Sequence, residues 1–131
     1  MKPVEPSDYI TIVNVAHQAL HDKMVLFQTV TLAIIFGVGA TYDKMSHIPK
    51  KARIVFLFSY ILYTVTYLVD VLKIFWHMQR SLAAAVEKVA DLALVYSKFA
   101  DLDLYGSFSF HIMIALGANI TIGMLLFLQR P

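Results

Sequence analysis

The sequence predicts an all-α integral membrane protein with three transmembrane helices. Three apolar runs, at 24–41, 54–76 and 108–128, are each close to the length that a helix needs to cross a bilayer. Of the 131 residues, 59% are hydrophobic and 15% are charged, with a mean hydropathy of +0.67. Soluble domains are typically about 45–50% apolar and about a quarter charged. The three runs use roughly half of the chain, so we expect a single membrane domain over 1–131 and no separate catalytic domain.

Composition also limits the chemistry of the chain. It has no cysteine, which excludes disulfides, thiolate zinc sites and thiol nucleophiles. The net charge of +2 is too small to indicate a nucleic-acid partner. No GxSxG turn or glycine-rich phosphate loop is present, so no catalytic residue is predicted. The start of the chain lacks the pattern of a signal peptide, and we expect the first span to belong to the mature protein.

The first span has an amphipathic stretch before it, at 9–23. Its apolar and polar residues lie on opposite sides of a helix, which predicts an N-terminal interfacial helix. An overhanging first part of the span is the alternative. Gly37 and Gly39, near the end of the span, predict close packing against another helix, with simple flexibility as the other interpretation.

The second span has no glycine or proline, and a helical pattern continues beyond it. This predicts an extramembrane helix at about 78–100, either continuous with the span or bent near 77–81. Small and apolar residues on this helix alternate in steps of four and three, the spacing of a coiled-coil seam. They favour an interface with other subunits or with copies of the same chain, formed by Leu82, Val86, Val89, Ala93, Tyr96 and Ala100. Cover by the membrane surface or by the N-terminal helix is the alternative.

The turn between the first two spans sets the predicted orientation. Residues 43–53 contain Lys44, Lys50, Lys51 and Arg53 against one acidic residue, Asp43. Basic residues favour the cytoplasmic side. We therefore predict a bacterial inner-membrane protein with its N-terminus outside and its C-terminus in the cytoplasm.

The third span, 108–128, contains small and polar residues that predict contacts between helices. Gly117 and Gly123 would let a neighbouring helix approach closely. Asn119 would hydrogen-bond across such a contact, because a buried amide in a membrane needs a partner. We predict that all three residues serve packing.

A polar stripe on the second span is the most informative pattern. Its five residues fall within about 60° of one another on a helical wheel: Ser59, Tyr63, Thr66, Asp70 and His77. An acidic residue at mid-membrane costs about 2.5–3.5 kcal/mol on insertion scales, so Asp70 should face protein or water. The stripe is either a polar or proton-linked pathway or an interface between helices, with Asp70 paired to Lys73 one turn away.

Histidines gather on one predicted side of the membrane. His17, His21, His77 and His111 all fall there, and neutral imidazole can bind a metal or haem iron. No specific metal motif accompanies them, and ordinary interfacial histidines are the alternative.

These patterns favour three functions in order. The first is a small non-catalytic accessory subunit that stabilises a larger respiratory, oxidase or transport complex. The second is a homo-oligomeric ion channel or pore lined by the second span. The third is a membrane redox subunit with a histidine-ligated metal or haem.

Overall fold

The computed structural model describes residues 6–88 and 104–128, with side chains at 11, 14–81 and 108–128. Helix α1 runs over Pro6–Ala40, a short 3-10 helix over Tyr42–His47, α2 over Lys50–Lys88 and α3 over Leu104–Phe127. Within these ranges the chain is helical, with no strand. Three segments are long and apolar enough to cross a membrane, Asn14–Ala40, Lys50–Ser81 and Phe108–Phe127. The prediction of an all-α protein with three such helices is confirmed.

Helix α1 is continuous through both the amphipathic stretch 9–23 and the span 24–41. No glycine or proline falls between residues 9 and 36, so nothing in the sequence breaks the helix there. A separate N-terminal interfacial helix is therefore not confirmed, and the stretch forms the overhanging first part of a helix about 52 Å long. The helix stops at Ala40, where the Thr41 hydroxyl donates to the carbonyl of Gly37 at 3.0 Å.

The turn between α1 and α2 is tightly tied to the end of α3. The 3-10 helix buries Met45 against the bundle, and Ile48 then turns the chain in an extended conformation. The Tyr42 hydroxyl donates to the carbonyl of Leu128. Pro49 stands just before α2, and its carbonyl accepts from the amide of Ala52 at 3.0 Å.

Helix α2 is unbroken across residue 77, so its span and the residues after it form one helix as far as Lys88. The predicted extramembrane helix is thus helical from 78 to 88, and its remainder lies outside the described residues. The same holds for the side chains of the predicted seam, Leu82, Val86, Val89, Ala93, Tyr96 and Ala100.

The three long helices pack against one another, with α2 contacting both α1 and α3. Their core is thin and has two parts. One cluster lies towards the middle of α1 and consists of Ala16, Phe27, Tyr67, Val71, Phe75, Met78 and Ala115. The other lies at the turn and consists of Val38, Met45, Tyr60, Ile122 and Leu126. Large apolar side chains also point outward, such as Phe36 at 72% exposure and Met113 at 71%. Such a surface fits hydrocarbon rather than water.

Candidate functional site

A buried polar face on α2 makes contact with both neighbouring helices. Tyr60, Thr64 and Tyr67 are spaced by four and three residues, and each is buried. The same spacing continues towards the end of the helix with Val71 and Phe75, also buried. This face, rather than the predicted stripe, is the side of α2 directed into the bundle.

Tyr60 and Thr64 connect all three helices by hydrogen bonds. The Tyr60 hydroxyl is hydrogen-bonded to the Thr31 hydroxyl of α1 at 2.7 Å, with either hydroxyl able to donate. Thr64 donates to the carbonyl of Tyr60 at 3.0 Å and accepts from Nδ2 of Asn119 on α3 at 3.1 Å. Asn119 also donates to the carbonyl of Ala115 at 2.8 Å, which fixes the amide against its own helix. The hydroxyl groups and the Asn119 amide nitrogen therefore find partners across the helices, whereas Oδ1 of Asn119 is buried without a hydrogen-bond partner among the described residues.

Tyr67, one helix turn from Thr64, makes a second set of contacts between α2 and the two neighbouring helices. Its hydroxyl lies 2.8 Å from Nδ1 of the buried His111 on α3. Its ring stacks on Phe27 of α1, with centroids 4.2 Å apart and planes 8° apart. Tyr63 also stacks on this phenylalanine, with ring centroids 5.8 Å apart. Aromatic rings thus fill the space between α1 and α2 at mid-bundle.

The predicted polar stripe is divided by the structure. Ser59 and Thr66 are exposed on the outside of the bundle, and their hydroxyls donate to carbonyls of their own helix at 2.9 and 3.0 Å. Tyr63 is half-buried in the aromatic stack. Only Asp70 makes a side-chain hydrogen bond to another helix, and His77 is exposed near the end of the predicted span.

Asp70 pairs with Lys23 of α1, at 3.3 Å between the carboxylate and the ammonium nitrogen. The side chains keep 34% and 48% of their surface exposed, respectively. The expected pairing with Lys73 is wrong: Lys73 is exposed and lines the neighbouring space between α1 and α2, and Asp70 forms its ion pair with Lys23 of α1 instead. This contact is the one salt bridge found within the described ranges.

An open cavity of about 490 Å³ lies between α1 and α2, on the side of this ion pair towards the start of α1. Its walls are mostly apolar, with a lysine and a histidine on the α2 side. It is lined by Thr11, Val15, Ala16, Ala19, Lys73, Ile74 and His77. We call this cavity, together with the Lys23–Asp70 pair, the outer flank.

The histidines do not form a metal site in the part of the chain that the structure describes. No group of three or more His, Cys, Asp or Glu side chains there could hold one metal ion. His111 is buried with Tyr67, while His21 and His77 are exposed and His17 is half-exposed. The four predicted ligands are therefore not brought together.

The predicted packing residues have different outcomes. A Cβ atom added at Gly37, Gly39, Gly117 or Gly123 would meet no atom within 4 Å. None of these glycines allows a close approach between helices within the described structure. Asn119, in contrast, makes the predicted hydrogen bond across a helix contact.

Sequence reasoning did not single out the central contact residues Tyr60, Thr64, Tyr67 and Phe27. A signal was present, because 60, 64, 67, 71, 75 and 78 follow helical spacing with aromatic, hydroxyl and apolar side chains. Tyrosine fits lipid, interface and core alike, so this spacing alone does not distinguish the inner face of α2.

Comparison with protein-family models, with curated protein sequences and with solved structures gives no match for this chain.

Proposed function

We propose that this protein is a non-catalytic structural subunit of a larger integral membrane assembly, which it helps to stabilise. The observation that supports this most is the outer flank. It presents an ion pair and an apolar cavity on the surface of the bundle, uncovered by the residues that the structure describes. A neighbouring membrane protein would cover both.

The charged side chains of the outer flank favour contact with another protein rather than with lipid. Charged side chains in membrane spans are usually directed towards protein or water, because hydrocarbon does not solvate them. Pairing with Lys23 lowers the cost of Asp70, yet both side chains stay partly exposed. Lys73 adds a further cation beside them, with no ion-pair partner among the described residues. Polar groups of a neighbouring chain would bind these charges.

The interior of the bundle argues against a conduit or an active site within one copy. Phe27 is almost fully buried and fills the space beside α2 by stacking on Tyr67 and Tyr63. The hydroxyl and amide groups of the interior bond to one another. An arrangement of this kind stabilises three helices and leaves little side-chain chemistry for a substrate.

The homo-oligomeric channel has less support than the structural subunit. A ring of Asp70 carboxylates would attract cations only if their charge were free, and Lys23 neutralises it. The hydroxyls of Ser59 and Thr66, which would line the pore, already donate to their own backbone. The redox function has less support again, since the predicted histidine ligands are separated.

Site-directed photo-crosslinking in the native membrane tests the proposal. A photoreactive amino acid would replace Ala19, in the outer flank, and in a matched control Met113, which is 71% exposed on α3. We expect Ala19 to give adducts with one or a few unlike proteins, and Met113 to give mainly lipid adducts. Adducts of Ala19 with the same chain alone would favour a homo-oligomer. Lipid adducts alone at both positions would contradict the proposal.

A further inference from the structure

The opposite end of the bundle combines an uncompensated positive charge with an apolar cavity. Between residues 43 and 53 the chain has four cations, Lys44, Lys50, Lys51 and Arg53, and one acid, Asp43, so that 4 − 1 gives a net charge of +3. The three lysines are exposed, and none has an ion-pair partner among the described residues. This end therefore attracts anions.

Arg53 fixes one of these charges at the junction of two helices. Its Nη1 donates to the carbonyl of Leu126, near the end of α3, at 2.9 Å. Its guanidinium carbon lies 5.5 Å from the ring centre of Phe127, in a cation–π contact. Its Nε is buried and has no hydrogen-bond partner in the described chain. The guanidinium is thus held in place by neutral groups, and no carboxylate of the described residues balances its charge.

A cavity of about 280 Å³ lies beside this guanidinium. Apart from the arginine its lining is apolar. It is formed by Val38, Met45, Ile48, Ala52, Arg53, Phe56 and Leu126. The cavity has room for a segment of one acyl chain, and Phe56 in its lining is an apolar side chain that is 40% exposed at the surface.

We infer that this end of the protein is a binding site for one anionic phospholipid. The acyl chain occupies the apolar cavity, and the phosphate and anionic headgroup lie against Lys50, Lys51 and Arg53. Charge complementarity selects the occupant, because basic pockets between transmembrane helices bind anionic headgroups. A zwitterionic lipid of the same chain length would bring its own cation against these side chains. The inference is independent of the proposed structural function, which depends on the other end of the bundle.

The affinity for lipid can be measured by native mass spectrometry of the full-length protein in mild detergent. Phosphatidylglycerol and phosphatidylcholine with identical acyl chains would be titrated separately. We expect one phosphatidylglycerol to remain bound at concentrations where phosphatidylcholine does not. Equal retention of the two lipids would overturn the inference.

Two double variants distinguish a local binding site from general electrostatic attraction between the protein and the anionic lipid. A cation near an anionic membrane surface contributes about fivefold in binding, so removing both lysines by Lys50→Gln with Lys51→Gln should weaken phosphatidylglycerol binding roughly 25-fold. The matched control, Lys73→Gln with Arg80→Gln, removes two cations at the opposite end and should leave that binding unchanged. An equal loss in both double variants would contradict a local site.

The acyl-chain cavity has its own test. Ala52→Trp fills the cavity and leaves every charge in place, so phosphatidylglycerol binding should fall at least tenfold while the soluble headgroup analogue glycerol phosphate binds as before. Ala33→Trp, on the exposed face of α1, is the control. If Ala52→Trp retains the full phosphatidylglycerol affinity, the interaction is that of a charged surface only and the inference is wrong.

Discussion

Replacing Phe27 by alanine tests whether aromatic stacking holds α1 against α2. Phe27 is 1% exposed, and its ring lies 4.2 Å from the ring of Tyr67, 5.8 Å from that of Tyr63 and 6.5 Å from that of Tyr60. The substitution removes all three ring contacts and opens a cavity between the two helices. We expect the folded bundle to lose stability without losing its insertion into the membrane.

The expected magnitude is smaller than it would be in a soluble protein. In a soluble core, a change of phenylalanine to alanine costs about 3–5 kcal/mol, of which a large part is transfer of the ring from water. Within a bilayer the ring is already in hydrocarbon when the helices separate, so this transfer contribution largely disappears. What remains is the loss of van der Waals packing around the cavity and of ring stacking, the latter about 0.5–1.5 kcal/mol for a close pair and less for the two distant ones. The sum for Phe27→Ala is about 2 kcal/mol, or roughly 30-fold in the unfolding equilibrium.

Reversible unfolding in mixed micelles of a mild detergent and dodecyl sulfate measures this difference. Phe36→Ala is the matched control, because Phe36 lies on the same helix and is 72% exposed. It should change the free energy of unfolding by less than about 0.5 kcal/mol. Equal effects of the two substitutions would refute the stacking argument. A loss above about 4 kcal/mol for Phe27→Ala would refute the reasoning that hydrocarbon removes the transfer contribution.

Three further tests, with four substitutions in all, use the same unfolding assay. Asn119→Leu removes the hydrogen bond to Thr64, which destabilises the bundle, and also removes a buried oxygen that has no partner, which offsets the loss. The free energy of unfolding should therefore change by less than about 1 kcal/mol. A loss of about 3 kcal/mol would contradict this expectation. Asp70→Asn should destabilise the bundle, and adding Lys23→Gln should restore part of the loss. The coupling free energy between the two partly exposed side chains should be about 1 kcal/mol. Strictly additive effects of the two substitutions would show that the ion pair is not formed. In Gly37→Ala the added methyl group contacts no neighbouring helix within 4 Å. The substitution should therefore be neutral or stabilise the isolated chain by up to about 1 kcal/mol. A marked loss of stability in the purified monomer would show that another helix packs against this position.

The positions of the three spans could be predicted from the sequence because they depend on local properties. Hydropathy and length alone determine whether a segment can cross a bilayer, and the predicted runs 24–41, 54–76 and 108–128 lie almost entirely within α1, α2 and α3, of which α1 and α2 are much longer than the runs. The continuity of α2 past residue 77 was likewise expected as one of two alternatives, since nothing in that stretch breaks a helix.

The inner face of α2 could not be predicted in the same way. A helical wheel gives the angles between residues but not the directions in which other helices lie. Ser59 and Thr66 point outward, whereas Tyr60 and Tyr67, one position later, point into the bundle. In a membrane protein both the core and the lipid-facing surface are largely apolar. The order of apolar residues along α2 therefore does not show which side of the helix faces the bundle. The same limit explains why Asp70 was assigned to Lys73, its neighbour in sequence, rather than to Lys23, which only the packing of α1 brings near.

The depth of the ion pair connects the fold to the proposed partner. Between Arg53 and Asp70 lie residues 54–69, sixteen uncharged positions of α2 that span about 24 Å, against a hydrocarbon thickness of about 30 Å. If Arg53 marks one boundary of the hydrocarbon, Asp70 stands several ångströms inside the other. From that level α1 and α2 both continue, to Pro6 and Lys88, each for about 25 Å. With Arg53 at that boundary, the outer flank begins within the membrane and continues along two helices out of it. We infer that one partner would contact the ion pair in the membrane and the two extended helices beyond it.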